Sequence, residues 1–149
     1  MTTLISAIVQ PHITYCIPIW GSTYPTHLQK VFLLQKKAIR IITNSHFLEH
    51  TQPLFKSVNI LNLYDTIKLE IGCYMYKNIN THEYNRAQHN YNTRYRHDVR
   101  TPAHHLSSFE NSLSFNGPLI WNKIPQDIKN KPSVQSFRNS YKKYLLSVY

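Results

Sequence analysis

Glycine, cysteine and acidic side chains are all scarce in this 149-residue chain: three Gly, two Cys and seven Asp or Glu. So few glycines leave no Gly-rich loop to cradle a phosphate, and they argue against most tight-turned β architectures. Cys16 and Cys73 are far apart with no C-x-x-C, which encodes neither a disulfide framework nor a zinc ribbon. Asp65, Asp98 and Asp127 fall in separate segments, so no adjacent carboxylate pair is offered for two-metal phosphoryl transfer. No apolar run approaches the ~18–20 residues of a membrane span. The best stretch, residues 4–9, stops at Gln10, Pro11 and His12. The first residues carry no positive charge of the kind that opens a signal peptide, and no Asn-x-Ser/Thr acceptor occurs. These absences lead us to expect a protein of the nucleus or cytoplasm, not secreted and with no membrane partner.

Positive charge is what the chain has in excess. Its 17 Lys and Arg against 7 acids give a formal charge of +10 and a pI near 9.7. Such a field attracts polyanions and speeds their association; nucleic acid is the usual match, with anionic membrane or acidic protein as competitors. The hydrophobic fraction, 42%, leans on 11 tyrosines. A length close to ~150 residues suggests one domain, or a compact part with an appendage.

Apolar periodicity predicts a mainly α fold, a small helical bundle with a polar extended arm and a C-terminal helical segment. Residues 2–24 read as a short apolar helix, stopped or kinked at Pro11, then a crowded stretch with Ile13, Tyr15, Cys16, Ile17, Ile19 and Trp20. The clearest helix covers about 26–43, where Leu28, Val31, Phe32, Gln35, Ala38, Ile39 and Ile42 follow the i, i+3, i+4, i+7 rule and Thr26 offers an N-cap. A loop, 44–55, is closed by Pro53. The next helix, about 62–79, has Asn62 as N-cap and Leu63, Ile67, Ile71, Tyr74 and Met75 as its core stripe. Gly72 within it points to a close helix–helix approach. Residues 80–106 have almost no aliphatics and no period, and read as a linker or arm. Residues 107–149 return to order, with apolar anchors around Gly117-Pro118. A closing helix from about Ser133 places Phe137, Tyr141, Tyr144, Leu145 and Val148 on one face. The expected divisions are therefore 1–79, 80–106 and 107–149.

Two sets of residues suit a polyanion. On the helix at 26–43, Lys30, Lys36, Lys37 and Arg40 form a basic ridge opposite the apolar stripe; on the closing helix Arg138, Lys142 and Lys143 do the same. In the arm, Arg94, Arg96 and Arg100 alternate with Tyr91 and Tyr95, and rings stack on unpaired bases while guanidinium forks grip phosphates. A third motif, His46-Phe-Leu-Glu49-His50, matches the H-x-x-E-H pattern of a zinc hydrolase. It sits between Asn44 and Pro53, where no helix of useful length fits, so a zinc site is the remote alternative. No nucleophile elbow or cofactor motif is present, and neither an enzyme nor a cofactor is expected.

The order of motifs resembles the C-terminal, post-palm region of non-LTR (LINE-type) retrotransposon reverse transcriptases. Gln10-Pro-His-Ile-Thr-Tyr-Cys-Ile-Pro-Ile-Trp-Gly21, Leu34-Gln-Lys-Lys-Ala-Ile-Arg-Ile-Ile42, His50-Thr-Gln-Pro-Leu-Phe55, His89-Asn-Tyr-Asn-Thr-Arg94 and Gly117-Pro-Leu-Ile-Trp-Asn-Lys-Ile-Pro125 follow one another as they do there, and the closing Lys-rich run is similar too. The resemblance implies a thumb-like fold that holds RNA or an RNA–DNA duplex. It implies a non-catalytic fragment of an RNA-directed DNA polymerase, because the family's catalytic aspartates lie in the palm and the Ala-Asp-Asp-type strand motif is absent. The missing palm would then be the packing partner of the crowded segment 13–20, which should lie exposed. The alternative is a domesticated basic module that binds acidic protein or anionic lipid.

Overall fold

The computed structural model describes residues 10–85 and 94–148, and among these the fold is helical with no strand. Eight α-helices are described: α1 (Gln10–Thr14), α2 (Ile17–Trp20), α3 (Pro25–Ile42), α4 (Thr51–Ser57), α5 (Leu63–Asn78), α6 (Leu113–Asn122), α7 (Gln126–Lys129) and α8 (Val134–Ser147). α5 lies at the centre and is touched by α1, α2, α3, α6 and α8. One apolar cluster joins Ile17, Leu28, six α5 residues from Leu63 to Met75 that include Ile67 and Ile71, Val99, Trp121, Phe137 and Leu145. The C-terminal segment thus shares its core with the N-terminal helices. A smaller cluster of Ile39 and Phe55 joins α3 to α4.

Local chemistry explains where the helices begin and end. Asn62 caps α5: its side-chain oxygen accepts from the Asp65 N–H at 2.9 Å, while its Nδ2 donates to Asp65 Oδ2 at 2.8 Å. Ser112 and Ser133 cap α6 and α8 in the same way. α3 and α4 both finish on an asparagine in the left-handed region, Asn44 (φ 52°) and Asn59 (φ 56°). In each case the next residue donates back into the last turn, Ser45 N–H to the Arg40 carbonyl and Ile60 N–H to that of Phe55, both at 3.0 Å. Asparagine tolerates this geometry better than most side chains.

The scarce glycines are spent where helices touch. A Cβ on Gly21 would come within 2.8 Å of Ile67, and one on Gly117 within 2.7 Å of Met75 Sδ. On Gly72 it would come within 2.9 Å of the Tyr141 ring. The close approach expected at Gly72 is the α5–α8 contact. Around it stack Tyr76, Trp121, Phe137 and Tyr141, with Phe137 at 4.8 Å from Tyr76 and 5.8 Å from Trp121 between ring centres. The Tyr76 hydroxyl donates to the Lys131 carbonyl, which satisfies the polar end of a ring in this cluster.

Several expectations are corrected. Pro11 lies inside the helical turn of α1 rather than ending a helix; the apolar run at 4–9 is outside the described residues. The stretch 44–55 is not all loop, because α4 starts at Thr51. Pro53 is its third residue, where a helix needs no N–H donor. α3 starts on Pro25 after Tyr24, and Thr26 makes no cap. Tyr74 is exposed, and Tyr144 on α8 and Val148 just after it are too, whereas Thr66, Leu69 and Cys73 are buried. A helix surrounded on several sides buries more than the single stripe that periodicity reveals. The segment 13–20 is split: Ile17 is 0% exposed in the core and Trp20 is half-buried, but Tyr15 and Ile19 face outward.

The arm is also anchored along its described length. Tyr84 pairs with Val99 in an antiparallel bridge, and Arg100 N–H donates to the Glu83 carbonyl at 2.8 Å. Val99 is buried, and its backbone bonds both ways to one side chain, accepting from Asn122 Nδ2 and donating to Asn122 Oδ1, each at 2.9 Å. Asn122 stands on α6, so it ties the arm to the bundle.

Two outcomes follow. Gly72→Val should cost about 2–3 kcal/mol in chemical denaturation, because the Tyr141 ring has nowhere to retreat; an unchanged midpoint would mean the α5–α8 contact is looser than described. Asn122→Ala should cost about 1–3 kcal/mol for the orphaned Val99 amide and carbonyl and should speed proteolysis at residues 94–106.

Candidate nucleic-acid interface

α3 brings its cations outward because its opposite stripe is held inward. Leu28 and Ile39 are buried, and between them Gln35 is buried too. Gln35 is no apolar residue, yet it occupies the stripe as a clamp. Its Nε2 donates to the Leu61 carbonyl at 3.2 Å and its Oε1 accepts from the Leu63 N–H at 2.8 Å. The helix is thereby fixed to the start of α5, since a buried amide pays for its desolvation only when both ends are bonded. Lys30 and Lys37 face water. Lys36 lies over the Phe32 ring at 4.4 Å. α3 contains no acidic residue, and none of the ion pairs among the described residues involves an α3 side chain.

Arg40 is differently employed. Its Nε and Nη2 donate to the Glu49 carbonyl at 3.0 and 2.9 Å, and its guanidinium lies 6.0 Å from the Phe47 ring. Rather than standing free for a phosphate, it holds the 44–50 loop against the end of α3. That loop contains the H-x-x-E-H motif. His46 and His50 sit on a turn before α4, not on a helix, and the His46 ring accepts from the Leu48 N–H at 3.3 Å. No group of three metal-ligating side chains occurs among the described residues.

Two further expected phosphate contacts have internal partners. Arg138 donates from both Nη atoms to Glu70 Oε1, with Nη1 at 2.9 Å. Burial opposes its charge, but the Glu70 hydrogen bond and charge outweigh that and hold the guanidinium pKa above its usual value. Arg100 pairs with Glu83 at 3.3 Å in an exposed bridge of small worth. Lys142 is half-buried, and burial followed by the nearby Arg138 charge lowers its pKa. Lys143 and Arg94 are exposed, and Tyr95 is 67% exposed. Arg96 is half-buried with its Nε unpartnered. Tyr91 lies outside the described residues. The structure therefore leaves α3 as the most open of the basic sets, and it scatters the arm and α8 residues among different roles.

An unforeseen feature shares the outer face of α3. Leu33 and Leu34 are exposed between Lys30 and Lys37 and Ile41 one turn beyond, and on the following loop Phe47 and Leu48 are exposed too. The helical positions were legible, since i and i+4 from Lys30 and Lys37 are Leu34 and Ile41. Attention to the cations alone passes over them. No helix among the described residues is long and apolar enough to cross a membrane. No protein-family profile, curated protein or solved structure matches the chain.

The thiols provide a check on the packing beside Arg138. Cys73 is buried, and that burial pushes its pKa up to about 11, so it stays protonated and unreactive at neutral pH. Cys16 is exposed. A thiol reagent at pH 7.5 should label Cys16 rapidly in the native protein and Cys73 only after denaturation; equal labelling rates would show that the core opens readily.

Proposed function

We propose that this chain is a thumb-like, post-polymerase region of a non-LTR retrotransposon reverse transcriptase, and that it holds RNA or an RNA–DNA duplex without catalysing a reaction itself. The observation that carries the reading is the uncompensated charge of α3. Eighteen residues carry no carboxylate, and Lys30, Lys36 and Lys37 have no acidic partner among the described residues. A cationic helix whose underside is bonded through Gln35 to the start of α5 suits a duplex, which is gripped through its shape and its backbone phosphates. Exposed Arg94 and Tyr95 add a guanidinium and a ring that can meet an unpaired base. The ordered motifs from Gln10 to Pro125 support the family origin.

A second reading has its own observation. Leu33, Leu34 and Ile41 gain nothing from phosphates, and their interleaving with lysines suits an acidic, partly apolar protein surface or an anionic lipid layer. The two readings part on substitution. If about five phosphates are neutralised, log K for a short RNA–DNA duplex should fall against log[salt] with a slope of roughly −4. Lys30→Glu with Lys37→Glu should weaken that binding about tenfold or more, while Leu34→Ser with Ile41→Ser should leave it unchanged. Salt-independent binding, or a loss confined to the Leu34 and Ile41 variant, would favour the second reading.

A further inference from the structure

A cleft of about 760 Å³ opens on the α8 side of the molecule, between α1, the 58–61 turn, α5 and α8. Its volume lies within the ~300–1,000 Å³ of small-molecule sites. Its polar lining includes Gln10, Asn59, Glu70, Arg138, Asn139 and Lys142. Arg138 and Lys142 stand at i and i+4 on one helix face, where like charges repel. One carboxylate, Glu70, answers the two of them, and it is engaged by both Nη atoms of Arg138. Lys142 has no ion-pair partner among the described residues, and it is held half out of water. A half-buried cation beside a second cation is a standing cost that an anion in the cleft would relieve.

The cleft also offers hydrogen bonding beyond a simple anion. Gln10 lines the cleft, and its Oε1 has no hydrogen-bond partner among the described residues, an acceptor left unsatisfied. Asn59 lines the cleft from a turn whose left-handed backbone is held by its N–H donating to the Lys56 carbonyl at 3.0 Å. Asn139 stands beside Arg138 on α8. Cations at one wall and amides around it match a molecule with a phosphate at one end and a donor–acceptor edge at the other.

We infer that this cleft binds a single nucleotide, its phosphate between Arg138 and Lys142 and its base edge among the Gln10, Asn59 and Asn139 amides. The chemistry is shared by a free nucleoside monophosphate and by one nucleotide unstacked from a bound strand. In the second form the inference rests on the nucleic-acid reading above and deepens it, since α3 would grip the backbone and the cleft would take one residue of the strand.

The full chain, titrated with 5′-AMP, adenosine and inorganic phosphate by NMR or calorimetry, tests this. AMP should saturate, and adenosine should bind about tenfold more weakly or worse for want of the charge-assisted bonds. Lys142→Gln should weaken AMP and phosphate alike. Gln10→Leu should weaken AMP and spare phosphate. Arg138 is left in place because its loss would strand the Glu70 charge in a part-buried site, and circular dichroism melts confirm that each variant is folded. A single-stranded oligonucleotide then separates the sources: protection of AMP-shifted resonances by the strand marks the strand nucleotide, and AMP binding without it marks the free ligand. AMP binding with no affinity for a duplex would leave the cleft standing and remove the function proposed for α3. Duplex binding with no saturable AMP binding, or AMP binding indifferent to both substitutions, would overturn the cleft and leave α3 untouched.

Discussion

The enclosure of α5 is the constraint on which the rest of the structure depends. A helix touched on several sides must be approached closely on several sides, and this is where the chain places Gly21, Gly72 and Gly117. It must also satisfy its polar groups internally. Asp65 is bonded by Asn62 and Lys68, Thr66 donates to the Asn62 carbonyl at 2.8 Å, and Glu70 takes the Arg138 guanidinium. Each of these bonds removes a charge or a donor that would otherwise oppose burial.

That constraint distributes the positive charge. Basic residues near α5 are recruited to neutralise its carboxylates, so Lys68 and Arg138 serve the core. On α3, which carries no acidic residue, Lys30, Lys36 and Lys37 form no ion pair among the described residues. The chain's excess of +10 is therefore divided by packing rather than spread evenly: a share is spent inside, and the remainder forms the surface available to a polyanion.

Most of the motifs on which the family resemblance rests turn out to be packing motifs. Ile17 and Gly21, Thr51 and Phe55, Gly117, Pro118 and Trp121 are all buried. Residues of this kind preserve a core arrangement more directly than a reaction. The binding surface is therefore argued from side chains outside them, such as Lys30 and Lys37. In α6 the pairing of Gly117 with Pro118 has a local reason too: a Cβ ahead of proline crowds its Cδ in helical geometry, and glycine has none.

The three long helices, the cap at Asn62, the close approach at Gly72 and the outward Lys30 and Lys37 of α3 were legible along the chain, because helical period, capping chemistry and residue size act within a few residues. Contacts between distant segments settle that Arg138 and Arg40 are engaged, that Val99 ties the arm to the bundle through Asn122, and that α4 forms at all. A seven-residue helix is too short to hold itself together in water and exists because Phe55 is buried against Ile39. Likewise, which cations remain free follows from where carboxylates arrive in space, as with Glu70 and Arg138, and distance along the chain does not encode that meeting.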